Sequence, residues 1–518
     1  MRIYHKTILY CSAIIGSLSL VSDAFCEIKT FPVSFSDEIK LPAPSNDLKK
    51  TESDVAIFFS ENVTASNGAN PLSGSTQPDD ALRTKLKHHQ PITAEKQKVS
   101  DKITTPVATE KYGLRETMLL ALQWHPKIKR AKYEVERLKS VMDEANSAYY
   151  PNVEMGLRSG MEKDDYTSEH NKENFLNLSL EQMLYDFGNT GDRVDLSELY
   201  VINSSYDVKK EINNILYETI GAYLQIVRHH RLLSVMQDRT NGFTQIKDMT
   251  KKRVALGASA ESDYSQASLR VAEAISNYND YVAQKNKWSA TLDKLTNTSI
   301  SSAIMMSFPI DLAEYYKEWS RNGIPDINSP AIMVAQSKMD IAKKQIDIEK
   351  NGHFPKISLN PYYEYDLTTP TSTSSGINKS RDRYGIYLNV KVPLYQGGAV
   401  SSKVQQATEA FHAAQYNFDD EKYNAERKIM EYSSQLINTK ISLQSMLEKE
   451  RSAIRTRDLY MSQYLNLGSR SISDLISSES EIHQTKLDII NNQYAIANIS
   501  LESLYYAGEL LNLLHTKG

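Results

Sequence analysis

One order of apolar and polar positions occurs twice along the chain. In the first copy Leu114, Met118, Leu122, Ile128, Ala131, Val135, Leu138 and Met142 form an irregular stripe at helical spacing over residues 111–148. Pro126 interrupts it, which either kinks one helix or starts a second. Beyond Pro151 the period falls from about 3.6 to 2. Val153, Met155 and Leu157 alternate with polar or small neighbours, and Leu176, Leu178 and Leu180 resume the alternation after a polar segment at 162–173. Leu184-Tyr185-Asp186-Phe187-Gly188 then opens a proline-free run that predicts a long helix over about 190–255, a break at Gly257 and a returning helix over about 262–295.

The second copy keeps these spacings. Pro330 and Pro355 stand as far apart as Pro126 and Pro151. Ile357, Leu359, Tyr363 and Tyr365 mark a strand that Pro361 makes irregular, and Tyr384, Ile386, Leu388, Val390 and Val392 mark the cleanest strand in the chain. Leu394-Tyr395-Gln396-Gly397-Gly398 opens a second long helix, about 401–464, that ends before Gly468. Asp263 and Asp474 occupy matching places beyond the two glycines. Each half therefore reads helix, strand, strand, long helix, turn, helix, and each long helix spans about 100 Å if unbroken. Such a pattern predicts an elongated, internally duplicated molecule, mainly α with β.

Strands of about nine or ten residues suit a tilted crossing of a bilayer, although alternation alone fits a soluble hairpin packed on a helix equally well. Four strands leave two edges open, and a lipid-facing sheet must close. Closure between copies of the chain, a leader at the N-terminus and the lack of a long apolar run elsewhere favour an outer-membrane barrel. That leader, residues 1–26, has Arg2, His5 and Lys6 before an apolar run and is a secretory signal by pattern. Cleavage after Ala24 and cleavage after Cys26 both fit, and bulky Phe25 argues against a lipid anchor on Cys26. Residues 27–109, rich in Ser, Thr, Pro, Asp and Lys, predict a disordered or extended arm. A first repeat over 110–295, a linker over 296–328 and a second repeat over 329–518 complete the division.

Composition narrows the function. Lys plus Arg number 60 against 64 Asp plus Glu, so no charge excess draws nucleic acid. Cys11 and Cys26 are the only cysteines, which removes disulfide frameworks and cysteine metal sites. His229-His230 belongs to helical sequence without a zinc motif, and Gly397-Gly398 lacks the remainder of a phosphate loop. No cofactor and no enzymatic activity are expected.

Over residues 111–514 the chain resembles the TolC family of outer-membrane efflux and secretion channels. The resemblance rests on Ala121, His125-Pro126 and Ala131, on Tyr150-Pro151 and Phe354-Pro355 before strands, on Val392-Pro393-Leu394-Tyr395-Gln396-Gly397-Gly398 after one, and on the stretch 464–474. It implies a homotrimer in which three chains supply one 12-stranded β-barrel, continued by a long periplasmic α-helical barrel. The 296–328 linker would join an equatorial belt, and Ile386, Leu388 and Val390 would face outer-membrane lipid. A periplasmic adaptor would contact the turns at Gly257 and Gly468. An inner-membrane ABC or proton-driven transporter would supply energy, with cargo either small molecules or a secreted protein. By the same resemblance Asp474 lines the pore constriction, and Ser477 stands where a second acidic ring is usual. Arg470 matches a gate-locking arginine with Asp263 as its partner, while Leu465 replaces a tyrosine. From the residues alone, Ser471 and Asp474 also fit a helix-capping box. The competing account is a secreted coiled-coil scaffold or adhesin without a channel.

Overall fold

The computed structural model describes residues 112–163, 170–321, 327–367 and 381–514; the signal and arm expected over 1–109 lie outside them. Pro126 starts a helix rather than kinking one. Helix α1 is Leu114–Trp124 and α2 is Pro126–Ser147, separated by His125 in an extended conformation, whose Nδ1 accepts the Lys127 N–H at 3.3 Å. Proline suits the first position of a helix because that N–H would be unpaired in any case.

Strands β1 (Asn152–Lys163) and β2 (His170–Tyr185) follow, then α3 (Asn189–Ala255), α4 (Glu261–Thr296), α5 (Ile310–Arg321) and α6 (Pro330–Lys350). Strands β3 (Lys356–Asp366) and β4 (Asp382–Lys391) lead to α7 (Ala399–Ser462) and α8 (Ile472–Ala507). Helices α3 and α7 have 67 and 64 residues, which agrees with the two long helices expected. Both first strands run farther into the polar segment than alternation predicts. Backbone pairing continues to Lys163 opposite His170 whatever the polarity of the side chains.

The strands form one antiparallel sheet in the order β1-β2-β3-β4, with β1 and β4 at its edges. Register places Met155 opposite Leu178, Leu178 opposite Tyr363 and Tyr363 opposite Tyr384, an apolar row across all four strands. Leu359 with Leu388 and Ile357 with Val390 extend the same face. The other face carries Asn177, Glu364 and Arg383 in one row and Ser358 with Asn389 in another. Met155 and Tyr384, at opposite edges of the apolar row, are 75% and 77% exposed, so among the described residues no helix covers this face as it would in a soluble hairpin. Pro361 lies within β3, but its missing N–H interrupts the ladder: pairing with β2 resumes only at Ser179–Tyr362 and Gln182–Leu359, on either side of it.

The helices make a parallel series of columns. Helices α2 and α4 pack on one side of α3, α6 and α8 pack on the other, and α7 lies beyond these. With neighbours on both sides, α3 buries Ile215, Leu216, Ile220, Leu224 and Ile226 together with Leu501 and Leu504 of α8. That wide burial explains why its middle lacks a single narrow apolar stripe. The C-terminus of α8 meets the N-terminus of α6 at Gly508, which takes φ +80°; a Cβ there would stand 2.8 Å from Pro330 Cδ and 2.9 Å from Ser329 Cα. Both the left-handed backbone and the close joint require glycine.

Candidate functional site

The ends of the long helices farthest from the sheet bring together the residues singled out in the sequence. Gly257 and Gly468 close the two turns with φ of +69° and +62°, a backbone region that costs other L-residues about 1–2 kcal/mol. Ser471 starts α8 as its N-cap: its hydroxyl accepts the Asp474 N–H at 3.1 Å, and the Asp474 carboxylate accepts the Ser471 N–H at 3.3 Å. Asp474 thus caps the helix. Its side chain still remains 43% exposed, so the carboxylate also presents charge to water.

Arg470 lies over the Tyr460 ring at 4.4 Å, donates from Nε to Gln463 Oε1 at 3.0 Å and stands 3.8 Å from Asp474. Within one chain no contact joins it to Asp263, which lies in the first turn of α4, among the described residues. Ser477 is exposed and adds no charge.

Sequence reasoning missed a neighbouring contact. The backbone widens into a π-type turn over Gln463–Leu467, which buries Tyr464 and leaves Leu465 47% exposed. Arg253, at the end of α3, stacks on Tyr464 at 4.6 Å and donates to its carbonyl at 3.4 Å. Ser259 Oγ and the Tyr464 hydroxyl lie 3.2 Å apart. The adjacent Tyr464-Leu465 pair was the available signal, but its partners lie in the other half of the chain.

Deeper in the coil Glu479 is buried, 3.0 Å from Arg457 on α7 and 3.0 Å from His483 Nε2. Gly242 of α3 makes room for it, since a Cβ there would come within 2.3 Å of the carboxylate. Desolvation pushes the Glu479 carboxyl up, but hydrogen bonds and charge from His483 and Arg457 outweigh it and hold the carboxyl below its ordinary value. This carboxylate therefore belongs to the coil interior. No group of three or more His, Cys, Asp or Glu residues is placed to share a metal among the described residues.

The turns, paired helices and sheet make a structure whose two halves correspond, and a match to the outer membrane efflux protein family covers residues 118–298 and again 326–507. The chain belongs to the outer membrane efflux protein family. Outer membrane protein TolC of Salmonella enteritidis is 20% identical over 407 residues, covering 74% of this chain and 80% of that protein. Alkaline protease secretion protein AprF of Pseudomonas aeruginosa is 20% identical over 427 residues, covering 77% and 85%. Among solved structures, the Campylobacter jejuni CmeC outer membrane channel has a TM-score of 0.64 at 16% identity, over 76% of this chain and 85% of that one. The Vibrio cholerae outer membrane protein VceC has the same score at 15% identity, over 76% and 96%.

Membership in the outer membrane efflux protein family makes this chain an outer-membrane channel for efflux or type I secretion, extending into the periplasm, and a passive conduit rather than an enzyme. TolC-like channels work with inner-membrane pumps and periplasmic adaptors. The scaffold or adhesin alternative finds no support in these relatives.

Proposed function

We propose that three copies of the chain form one 12-stranded barrel and one periplasmic helical barrel, which together conduct cargo delivered by an inner-membrane ABC or proton-driven pump and its adaptor. The observation that carries this reading is a four-stranded sheet with one exposed apolar face and two open edges. Joining β4 of one copy to β1 of the next pairs every edge and turns the face bearing Ile386, Leu388 and Val390 to lipid. The helices support the same closure. Helix α7 forms one margin of the columns, and exposed Tyr416, Tyr423, Met430 and Ile437 recur along it every seven residues, the spacing of a coiled-coil seam. Helix α5 and the other described residues of the 296–328 linker belong to the equatorial belt. Crosslinking in native outer membranes is expected to give a series of products ending at three copies. An uncrosslinked monomer that conducts in a bilayer would overturn the reading.

The turns at Gly257 and Gly468 form the adaptor-facing end, and three Asp474 carboxylates surround the periplasmic opening there. Carboxylates gathered in a narrow, low-dielectric passage attract cations and repel anions. Replacing Asp474 with Asn keeps an oxygen for the capping hydrogen bond and removes the charge. The reversal potential in a salt gradient should then move toward zero; an unchanged value restricts Asp474 to capping. Arg470 and Asp263 pair between copies and resist opening, so Arg470→Ser should raise single-channel conductance. Equal conductance in the two proteins would reject that lock.

A further inference from the structure

Register fixes which side chains share the polar face of the β3–β4 pair. Tyr362 stands opposite Gly385, Asn360 opposite Tyr387 and Lys356 opposite Lys391. All of these lie on the face turned away from Leu388, because alternate side chains of a strand point the same way. Gly385 leaves room for the Tyr362 ring, since a Cβ there would stand 2.6 Å from Tyr362 Cε1. That ring lies parallel to the ring of Tyr387, with centroids 5.5 Å apart and planes 3° apart. One side of Tyr387 is therefore covered from the Gly385 end of β4. Its other side, toward Asn389 and Lys391, is open, and the residue is 61% exposed.

Lys391 follows Tyr387 by four residues, roughly 13 Å along the strand, so an extended lysine leaves a gap about one aromatic ring long before the open side of Tyr387. Like charges directly opposite each other in a sheet repel. Lys356 and Lys391 are such a pair, and neither meets a carboxylate among the described residues. Glu154 and Glu181 of the same face belong to β1 and β2. An anion between the two ammonium groups relieves their repulsion.

We propose that this face binds a small aromatic carboxylate. Its ring stacks on the open side of Tyr387 and continues the stack begun by Tyr362, and its carboxylate meets the ammonium groups of Lys391 and Lys356. An aliphatic acid gains only the charge interaction, and an uncharged ring gains only the stacking. The site lies within one chain. Its place in the conduit rests on the trimeric reading above, in which this face lines the barrel.

Full-length protein in planar bilayers, given benzoate, cyclohexanecarboxylate and benzyl alcohol in turn, tests the assignment. Benzoate is expected to interrupt the open-channel current saturably and at lower concentration than either of the other two. Tyr387→Thr should weaken this effect roughly two- to tenfold through lost stacking, and Lys391→Gln by up to about fivefold through lost charge. Tyr387→Phe keeps the ring and should retain it. An open channel that responds equally to benzoate and cyclohexanecarboxylate overturns the proposal, as does an unchanged response in both Tyr387→Thr and Lys391→Gln. Isothermal titration calorimetry with benzoate on the same detergent-purified proteins separates the site from the assembly. Saturable heat that weakens in Tyr387→Thr, with no current in any bilayer, keeps the site and rejects the conduit. Open channels without benzoate heat reject the site alone.

Discussion

Arginine at position 388 is expected to abolish assembled channel in the outer membrane, whereas arginine at 389 should leave assembly largely intact. Leu388 stands in β4 opposite Leu359 on the exposed apolar face, and Asn389 points to the other face beside Ser358. A charged arginine facing lipid near the bilayer midplane costs about 2–4 kcal/mol. In the proposed trimer three copies repeat that cost, for a total of roughly 6–12 kcal/mol, comparable with the entire folding stability of an ordinary domain. At 389 the guanidinium would meet the aqueous lumen of the proposed barrel and escape this penalty. Fractionation followed by immunoblotting for the native oligomer separates the outcomes. Normal assembly of Leu388→Arg together with failure of Asn389→Arg would reverse the two faces.

The second large effect is expected from Glu479→Ala. Its carboxylate holds Arg457 and His483 in a buried group spanning α7 and α8, with α3 packed over it at Gly242. Removing one partner of a buried pair leaves the others uncompensated and typically costs about 3–5 kcal/mol. Hydrogen exchange should therefore accelerate around residues 457 and 483 while the sheet remains protected. A pH dependence accompanies it. Because the folded Glu479 carboxyl titrates below its ordinary value of 4.5, the stabilisation is complete above that value and disappears as pH falls through the lower folded value. Protection around the group should thus decline in acid in the parent protein, with a smaller decline in Glu479→Ala. Identical exchange in both proteins at neutral pH would show that the triad adds no local stability.

Local chemistry explains what was legible before the structure. Paired prolines, a change of period and a glycine after each long apolar run have meaning over a few residues, and they located the hairpins, long helices and turns. The capping pair Ser471–Asp474 was visible for the same reason, since its members are three positions apart. The Arg253–Tyr464 contact was not, because it joins opposite halves of the chain and depends on a widened turn that buries Tyr464 instead of Leu465. Glu479 and His483 are one helical turn apart, but their burial depends on the missing side chain of Gly242 on a different helix. The close joint of α8 and α6 at Gly508 likewise arises from an end-to-end meeting of distant helices that no local pattern records.

The strand order has a consequence for how the chain folds. Strands β2 and β3 are neighbours in the sheet, yet α3, α4, α5 and α6 intervene between them. Joining them closes a loop of roughly 170 residues, an entropic cost that must be met before their ladder gives any return. Each two-stranded hairpin is marginal alone. Helix pairing is therefore expected to precede completion of the sheet, with the strands joining together as a late, collective step.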